Sequence, residues 1–188
     1  MIKKRATDIV LLCEDKRHEQ FARRFLLRRG VPGRRIRSLV APPGSGDAKL
    51  WVRQCYPDEI RAYRTKSNSI HNILFVMTDV DNESVVKRFE SLENACHDVR
   101  LDGLRSGERI VLALPKWAIE TWILSLTGNP MAESDRIQPA HKQKADPKWK
   151  EAAQLLADQC SAANTLSDFF PLSLRTACKS YSCVREWI

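Results

Sequence analysis

Three carboxylates directly follow two apolar runs of the sequence. The run at residues 8–13 is followed by Glu14, and the run at residues 72–78 is followed by Asp79 and Asp81. Residues two apart on an extended segment point the same way, so we expect Asp79 and Asp81 to face one ion. Clustered carboxylates repel one another unless a cation lies among them, and hard oxygen ligands favour Mg²⁺ or Mn²⁺. The spacing therefore predicts a divalent-metal site formed by Glu14, Asp79 and Asp81.

The Asp-x-Asp segment also has a second interpretation, in which Asp81 caps a helix that begins near Glu83 and the segment is a solvated turn. Two further residues are candidates for the same site. Glu120 lies among large apolar residues of a predicted helix, where a carboxylate is desolvated unless it meets a cation; alternatively, it lies on the polar edge of that helix. Lys116 follows the apolar run at residues 109–114, and it is expected either to contact a phosphate or an acid or to be solvated.

Basic residues are concentrated in the first third of the chain. Residues 1–66 carry 17 Lys and Arg against 7 Asp and Glu, a net charge of +10, whereas residues 67–137 carry 7 against 11, a net charge of −4. This asymmetry indicates either a polyanion held near a cation site or an Arg-rich solvated surface. The residues predicted to bind the phosphate backbone of a nucleic acid are Arg17, Arg24, Arg28, Arg29, Arg35 and Lys116.

Apolar stretches alternate with helical patterns along the chain. Helices are expected from the turn after Glu14 to about residue 29, at 47–56 and 57–65, after residue 82, and at 116–126. Strands that alternate with helices predict an α/β fold with a mostly parallel four-stranded sheet and helices on both faces. In such a sheet, the loops at the carboxyl ends of the strands gather into one crevice. Strands are expected at residues 8–13, 34–41, 72–78 and 109–114.

The chain is expected to fold as an α/β core at residues 1–127 with a C-terminal extension at residues 128–188. After a Gly-Asn-Pro break, residues 130–148 are polar and predict a loop, and helices are expected at about 148–162 and 172–187, packed on the core. Of the 188 residues, 43% are hydrophobic and 29% are charged, which is ordinary for a folded protein and excludes a largely disordered chain.

Several features are typical of a cytoplasmic protein. The first residues lack the apolar region and cleavage site of a signal peptide, and no stretch reaches the roughly 20 apolar residues of a membrane helix. The six cysteines form no Cys-x-x-Cys pair and are expected to be free thiols, mostly in the core. The four histidines show no metal-ligand spacing, and no role is predicted for them.

The segments around the three carboxylates resemble the TOPRIM fold of topoisomerases, primases and OLD-type nucleases. The matching segments are DIVLLCEDKRHEQF, which contains Glu14, and ILFVMTDVDN, which contains Asp79 and Asp81. The segment LPKWAIETWIL, with Glu120, resembles a Pro-x-x-x-x-Glu-x-Trp pattern of small stand-alone TOPRIM-like defence proteins. The likeness covers roughly residues 5–127. It departs from the family where Asp15 follows the glutamate, a position that is often glycine.

This resemblance implies a Mg²⁺- or Mn²⁺-dependent nuclease or related phosphoryl-transfer enzyme that acts on nucleic acid, DNA in preference to RNA. It implies Glu14 as a general acid/base or metal-proximal group, with Asp79, Asp81 and Glu120 as the other catalytic carboxylates. It also implies a role as the effector of an anti-phage system with a protein partner, such as an ATPase encoded nearby, and no membrane.

Two other functions stay open. One is a non-catalytic nucleic-acid-binding or assembly subunit, in which the acids hold a structural ion. The other is a receiver-like signalling domain, in which Glu14, Asp15, Asp79 and Lys116 would form the acidic site and its lysine. The basic first third and the unexplained Asp81 argue against the receiver-like interpretation.

Overall fold

The structure is a computed structural model that describes residues 7–44, 46–67, 71–162 and 166–188. The first six residues lie outside the described residues, and the expectation of no signal peptide depends on them. Ser45 also lies outside them, in the loop expected at residues 42–46. Among the described residues, no helix combines the length and the apolar character needed to cross a membrane.

A parallel four-stranded sheet forms the centre of the molecule. The strands are β1 (Asp8–Cys13), β2 (Ile36–Val40), β3 (Asn72–Met77) and β4 (Ile110–Ala113). Their order across the sheet is β2-β1-β3-β4, and every neighbouring pair is parallel. Strands β1 and β3 are therefore the two central strands. All of β3 and β4 is buried, as continuous apolar runs in a sheet covered on both faces should be.

Helices cover both faces of this sheet. Within the described residues they are α1 (Lys16–Arg28), α2 (Ala48–Ser67), α3 (Val85–Asp98), α4 (Ile119–Leu126), α5 (Pro139–Ala145), α6 (Trp149–Ala162) and α7 (Leu172–Ser182). One apolar layer, with Phe25 and Trp122, lies between the sheet and α1, α4, α6 and α7. The other, with Val52 and Tyr56, lies between the sheet and α2 and α3. The predicted α/β sheet flanked by helices is therefore confirmed.

Helix α2 differs from the expectation of two separate helices. Pro57 was expected to begin a new helix, but it lies inside one continuous helix of 20 residues. A proline within a helix removes one backbone hydrogen bond. Val52, Tyr56 and Ile60 on either side of it are fully buried against the sheet, and this packing holds the two halves in line.

The prediction of a loop at residues 130–148 is also partly wrong, because this segment contains α5 and a 3-10 turn at Asp146–Lys148. Gln138 and His141 form a capping box that begins the helix, and Pro139 occupies its first turn. Only Ala145 of α5 is buried. One buried alanine gives no apolar periodicity from which this helix could be predicted.

The C-terminal helices belong to the same apolar layer as α1. Helix α6 packs on α1, and α7 lies along the edge strand β4, where Ser180 accepts a 3.2 Å hydrogen bond from the Leu112 N–H. Leu174 and Tyr181 of α7 are buried in the layer that contains Phe25. The predicted boundary at residue 127 thus lies within a continuous region of packing.

The expectation of six free cysteines was wrong for Cys160 and Cys178. These residues form a disulfide that joins α6 to α7, with their Cα atoms 5.8 Å apart. Two separate helices bring the pair together, so no local spacing could have indicated it. The remaining cysteines, Cys13, Cys55, Cys96 and Cys183, are free thiols.

Candidate functional site

Glu14 and Asp79 meet at the carboxyl ends of the two central strands. The Glu14 N–H donates a 3.1 Å hydrogen bond to the Met77 carbonyl, which places the residue beside the end of β3. Its Oε2 atom accepts hydrogen bonds from the Thr78 hydroxyl at 2.8 Å and from the Asp79 N–H at 2.9 Å. Because β1 and β3 are direct neighbours, residues 65 positions apart in sequence are in contact.

Burial gives both carboxylates an unusual electrostatic state. Desolvation raises the pKa of Glu14, and the negative charge of Asp79 raises it further. Desolvation also raises the pKa of Asp79, although the positive charge of His18 and its hydrogen bond oppose this. Two partly desolvated carboxylates whose charges oppose one another are an arrangement that a cation relieves.

His18 is the residue of the site that sequence reasoning missed. It is fully buried, and its ring lies between two carboxylates: Nε2 is 2.9 Å from Asp79 Oδ1 and Nδ1 is 2.9 Å from Asp15 Oδ1. Burial alone would lower its pKa, but Asp79 and Asp15 outweigh that effect and hold the pKa of His18 well above its usual value. As an imidazolium, His18 donates one hydrogen bond to each acid and fixes the position of Asp79.

One sequence signal could have drawn attention to His18. The apolar stripe of α1 that contains Phe21, Ala22 and Phe25 also includes His18 at helical spacing, so the periodicity places the imidazole on the buried face. A buried histidine requires hydrogen-bond partners. Asp15 supplies one of them, and it also caps α1 by accepting a 2.8 Å hydrogen bond from the His18 N–H.

The side chains of Asp79 and Asp81 do not face one ion, although this was expected for an extended Asp-x-Asp segment. The Asp81 backbone is left-handed, with φ of 55°, and its carboxylate forms an ion pair with Lys49 in the first turn of α2. The alternative interpretation of Asp81 as a helix cap is also wrong, because Ser84 caps α3. Asp79 and Asp81 therefore contact different cations, His18 and Lys49.

Lys49 is a second residue of the site that the sequence did not indicate. Burial lowers its pKa, but the ion pair with Asp81 outweighs this, and Glu14 and Asp47 add to the rise. The pKa of Lys49 is therefore above its usual value. Its ammonium group supplies positive charge to Asp81 and Glu14 together.

Glu120 and Lys116 lie on the segment that joins β4 to α4. Glu120 is partly buried in the first turn of α4, and its charge is among the causes that raise the pKa of Asp79. Lys116 is directed away from the acids: its Nζ bonds to the Glu83 carbonyl and lies 4.6 Å from the centroid of the Trp117 ring. The structure thus brings Glu120 to the site but not the Lys116 ammonium.

Most of the arginines predicted to bind phosphate make contacts within the chain. Arg17 pairs with Asp146, and Arg28 pairs with Asp158 through hydrogen bonds of 2.9 and 3.1 Å. Arg29 donates to the Tyr181 hydroxyl at 2.9 Å, and Arg35 to Asp8 at 2.8 Å. Arg24 is partly buried, and its Nε has no hydrogen-bond partner among the described residues. Arg17, Arg28 and Arg29 therefore hold α1 against the C-terminal extension.

Three acids at this edge of the sheet carry oxygen donors of the type that could hold a hard divalent cation. Glu14 and Asp79 supply carboxylate oxygens, the ligands that Mg²⁺ or Mn²⁺ prefers. Asp81 is paired with Lys49 and would have to leave that ion pair to join them. As the described side chains stand, no three His, Cys, Asp or Glu residues are grouped closely enough to hold a metal ion.

Comparisons of the chain with protein-family models, with curated proteins and with solved structures found no match. The interpretation of the site therefore depends on its own geometry. The Glu14 carboxylate bonds to the Asp79 N–H at the ends of the two central strands, His18 contacts the Asp79 carboxylate, and Lys49 pairs with Asp81.

Proposed function

We propose that the protein is a Mg²⁺- or Mn²⁺-dependent nuclease, or a related phosphoryl-transfer enzyme acting on nucleic acid, with a TOPRIM-like core. The observation that carries the proposal is the contact between Glu14 and Asp79 at the carboxyl ends of the central parallel strands. That edge is where ligands bind in open α/β sheets. The parallel order of the sheet and the acids after β1 and β3 support the resemblance seen in the sequence.

Glu14, Asp79 and Asp81 are the residues that would hold the ion. A bound Mg²⁺ or Mn²⁺ supplies positive charge against the negative charge that develops on phosphoryl oxygens. His18 keeps Asp79 in place through its 2.9 Å contact, and Lys49 adds a charge that can move between the acids and a phosphate. Glu14 is fixed by two hydrogen bonds at Oε2, and its raised pKa suits a group that accepts and returns a proton.

The substrate and partners proposed here follow from charge and from the family resemblance. A net charge of +8 favours a polyanion, and DNA is proposed in preference to RNA. Each arginine has five N–H donors, so a residue such as Arg28, with a half-exposed side chain, can keep Asp158 and still contact a phosphate. We further propose that the protein acts in the cytoplasm as an anti-phage effector with an ATPase partner.

A specific observation favours a second candidate, a non-catalytic nucleic-acid-binding or assembly subunit whose acids would hold at most a structural ion. His18 contacts Asp79 and Lys49 pairs with Asp81, so two of the three acids already have a cationic partner within the chain. A receiver-like domain is not favoured, because Lys116 Nζ contacts the Glu83 carbonyl rather than the acids.

The test separates metal binding from cleavage. Mn²⁺ is titrated into wild type, Asp79→Asn and Asp98→Asn, a control acid on α3 with an exposed side chain. We expect only Asp79→Asn to lose Mn²⁺ affinity and to lose metal-dependent cleavage of single- and double-stranded DNA and RNA. Equal Mn²⁺ binding by all three proteins contradicts the metal assignment. Metal and nucleic-acid binding without cleavage, even with the neighbouring gene product present, supports the second candidate instead.

A further inference from the structure

A cavity lies at the opposite end of the sheet from Glu14 and Asp79. It has a volume of about 320 Å³ and is lined by the amino-terminal halves of β1, β2 and β3 and by the last turns of α2. This volume is at the lower end of the range for small-molecule sites, which is about 300–1,000 Å³.

The sheet side of the cavity breaks the apolar pattern of that face. Arg37, Val10 and Leu74 lie side by side across β2, β1 and β3, on the face that α2 covers. Further along the same face the strands place Leu12 and Val76 in the apolar layer. Arg37 lies on the edge strand β2 with a half-exposed side chain that pairs with Glu59 of α2, so this end of the face carries a charge where the rest is apolar.

Helix α2 changes character at the same level. Its first half faces the sheet with Val52, Tyr56 and Ile60, which are fully buried and fill the apolar layer. Its last turns line the cavity with Glu59, Ala62, Tyr63 and Lys66, of which Tyr63 is buried and still belongs to the apolar layer. Ala62 has the smallest of these side chains, so a larger residue at this position would occupy part of the cavity.

The charge of the lining selects an anionic ligand. Four basic residues line the cavity against two acidic ones. Arg35 Nη1 donates to Asp8 at 2.8 Å, and Arg37 Nη2 donates to Glu59 at 2.9 Å. In each pair, one guanidinium nitrogen bonds to the carboxylate, and this contact orients the guanidinium group. Its other N–H groups can then bind a phosphate. The other two basic residues are Arg34 and Lys66.

Asn72 lines the cavity with a side-chain amide whose oxygen has no hydrogen-bond partner among the described residues. The residue is only 6% exposed, and its Nδ2 donates a 3.0 Å hydrogen bond to the Tyr63 carbonyl. Its Oδ1 is buried and has no hydrogen-bond partner in the described part of the chain. A buried amide oxygen without a donor is costly, so a ligand N–H or O–H at this position would be stabilised.

We propose that this cavity binds a nucleotide. The phosphate lies against Arg35 and Arg37, the flat base covers the partly exposed Val10, and a hydrogen-bond donor of the ligand meets Asn72 Oδ1. A free mononucleotide and the phosphorylated end of a strand share this chemistry. The site lies at the other end of the sheet from Glu14 and Asp79, so it does not depend on the function proposed for them.

The experiment measures binding by calorimetry in EDTA, so that a cation at the acidic end makes no contribution. The probes are 5′-AMP, a 5′-phosphorylated oligonucleotide, inorganic phosphate and adenosine. The variants are Arg37→Gln, which removes a charge at the cavity, and Ala62→Phe, which fills the cavity and keeps every charge. The control is Arg61→Gln, an exposed arginine on α2 that pairs with Asp58.

We expect a nucleotide probe to bind at least about tenfold more tightly than phosphate or adenosine, because base and phosphate both contribute. Arg37→Gln and Ala62→Phe should each weaken binding by about tenfold or more, and Arg61→Gln by less than about twofold. Tighter binding of 5′-AMP than of the oligonucleotide identifies a free mononucleotide, and the reverse identifies a strand end. Absence of nucleotide binding, equal affinity for phosphate alone, or full affinity in Ala62→Phe overturns the proposal.

Discussion

At the residue scale, Glu14 and its neighbour Asp15 have separate roles, because they make different contacts. Glu14 contacts Thr78 and Asp79 across the two central strands, whereas Asp15 caps α1 and holds His18. The two adjacent acids therefore belong to different contacts. Hydrogen bonds from His18 overcome the effect of burial and lower the pKa of Asp15 to about 2, while the pKa of Glu14 is raised.

We predict that Glu14→Gln lowers the rate of metal-dependent cleavage by about 10²–10⁴ and leaves nucleic-acid affinity unchanged, because glutamine keeps the shape but cannot carry a proton. Asp15→Asn should have a smaller effect, since the amide oxygen can still cap α1. The measurement is a cleavage time course with Mn²⁺, together with a binding titration. Equal cleavage by Glu14→Gln and wild type would show that this carboxylate has no catalytic role.

At the element scale, Arg64 near the end of α2 holds the segment that leads into β4. It forms a double hydrogen bond with Glu108, at 2.6 and 3.0 Å, and donates to the carbonyls of Asp102 and Gly103. Burial would raise the pKa of Glu108, but Arg64 and the Arg105 N–H outweigh this effect and lower it. The ionised form of Glu108 thus stabilises the fold.

We predict that Glu108→Gln lowers the free energy of unfolding by about 2 kcal/mol at pH 7, the usual value of a hydrogen-bonded charged group. A carboxyl whose pKa is lower in the folded state contributes its stability above the unfolded pKa, and that contribution is lost as the pH falls through the folded pKa. The difference between mutant and wild type should therefore shrink in acid. Denaturant unfolding at pH 7, 5 and 3 measures it.

The control for this pH series is Asp58→Asn, in an exposed i,i+3 pair with Arg61 on the same helix. Exposed pairs contribute about 0.2–1 kcal/mol at most, so this variant should be close to wild type at every pH. A Glu108→Gln effect that is the same at pH 3 and pH 7 would mean that the charge of Glu108 is not the cause.

At the scale of the whole molecule, the C-terminal helices complete the apolar layer that begins with α1. Leu174 is fully buried in that layer, whereas Leu172, two residues earlier on α7, is 58% exposed. Truncation of a buried leucine leaves a cavity that the surrounding structure fills only in part.

We predict that Leu174→Ala lowers the free energy of unfolding by about 2–5 kcal/mol and that the whole chain unfolds in one transition. Leu172→Ala should change it by less than about 0.5 kcal/mol, because an exposed side chain leaves no cavity. Thermal unfolding followed by near- and far-ultraviolet circular dichroism measures both. Two separate transitions, of which Leu174→Ala shifts only one, would instead show that residues 128–188 form an independent unit.

The sequence determined the elements of this protein and the position of its acids. Continuous apolar runs located β1, β3 and β4, because a strand buried on both faces must be apolar along its whole length. Since Glu14 and Asp79 directly follow two such runs, their place at the carboxyl edge of the sheet followed from the order of the chain alone. Where burial is slight, as in α5, the sequence predicted a loop instead of a helix.

Only the tertiary structure decided what those acids contact. His18 reaches Asp79 across 61 positions of sequence and Lys49 reaches Asp81 across 32, and neither pair has a local signal. The same is true of Arg28 and Asp158, which are 130 positions apart. Local patterns report which face of a helix or strand is buried, but partners across the fold depend on which strands are neighbours and on how the helices pack against them. The placement of β1 beside β3, with α1 and α2 on opposite faces, is therefore what turns a few separate acids into a site.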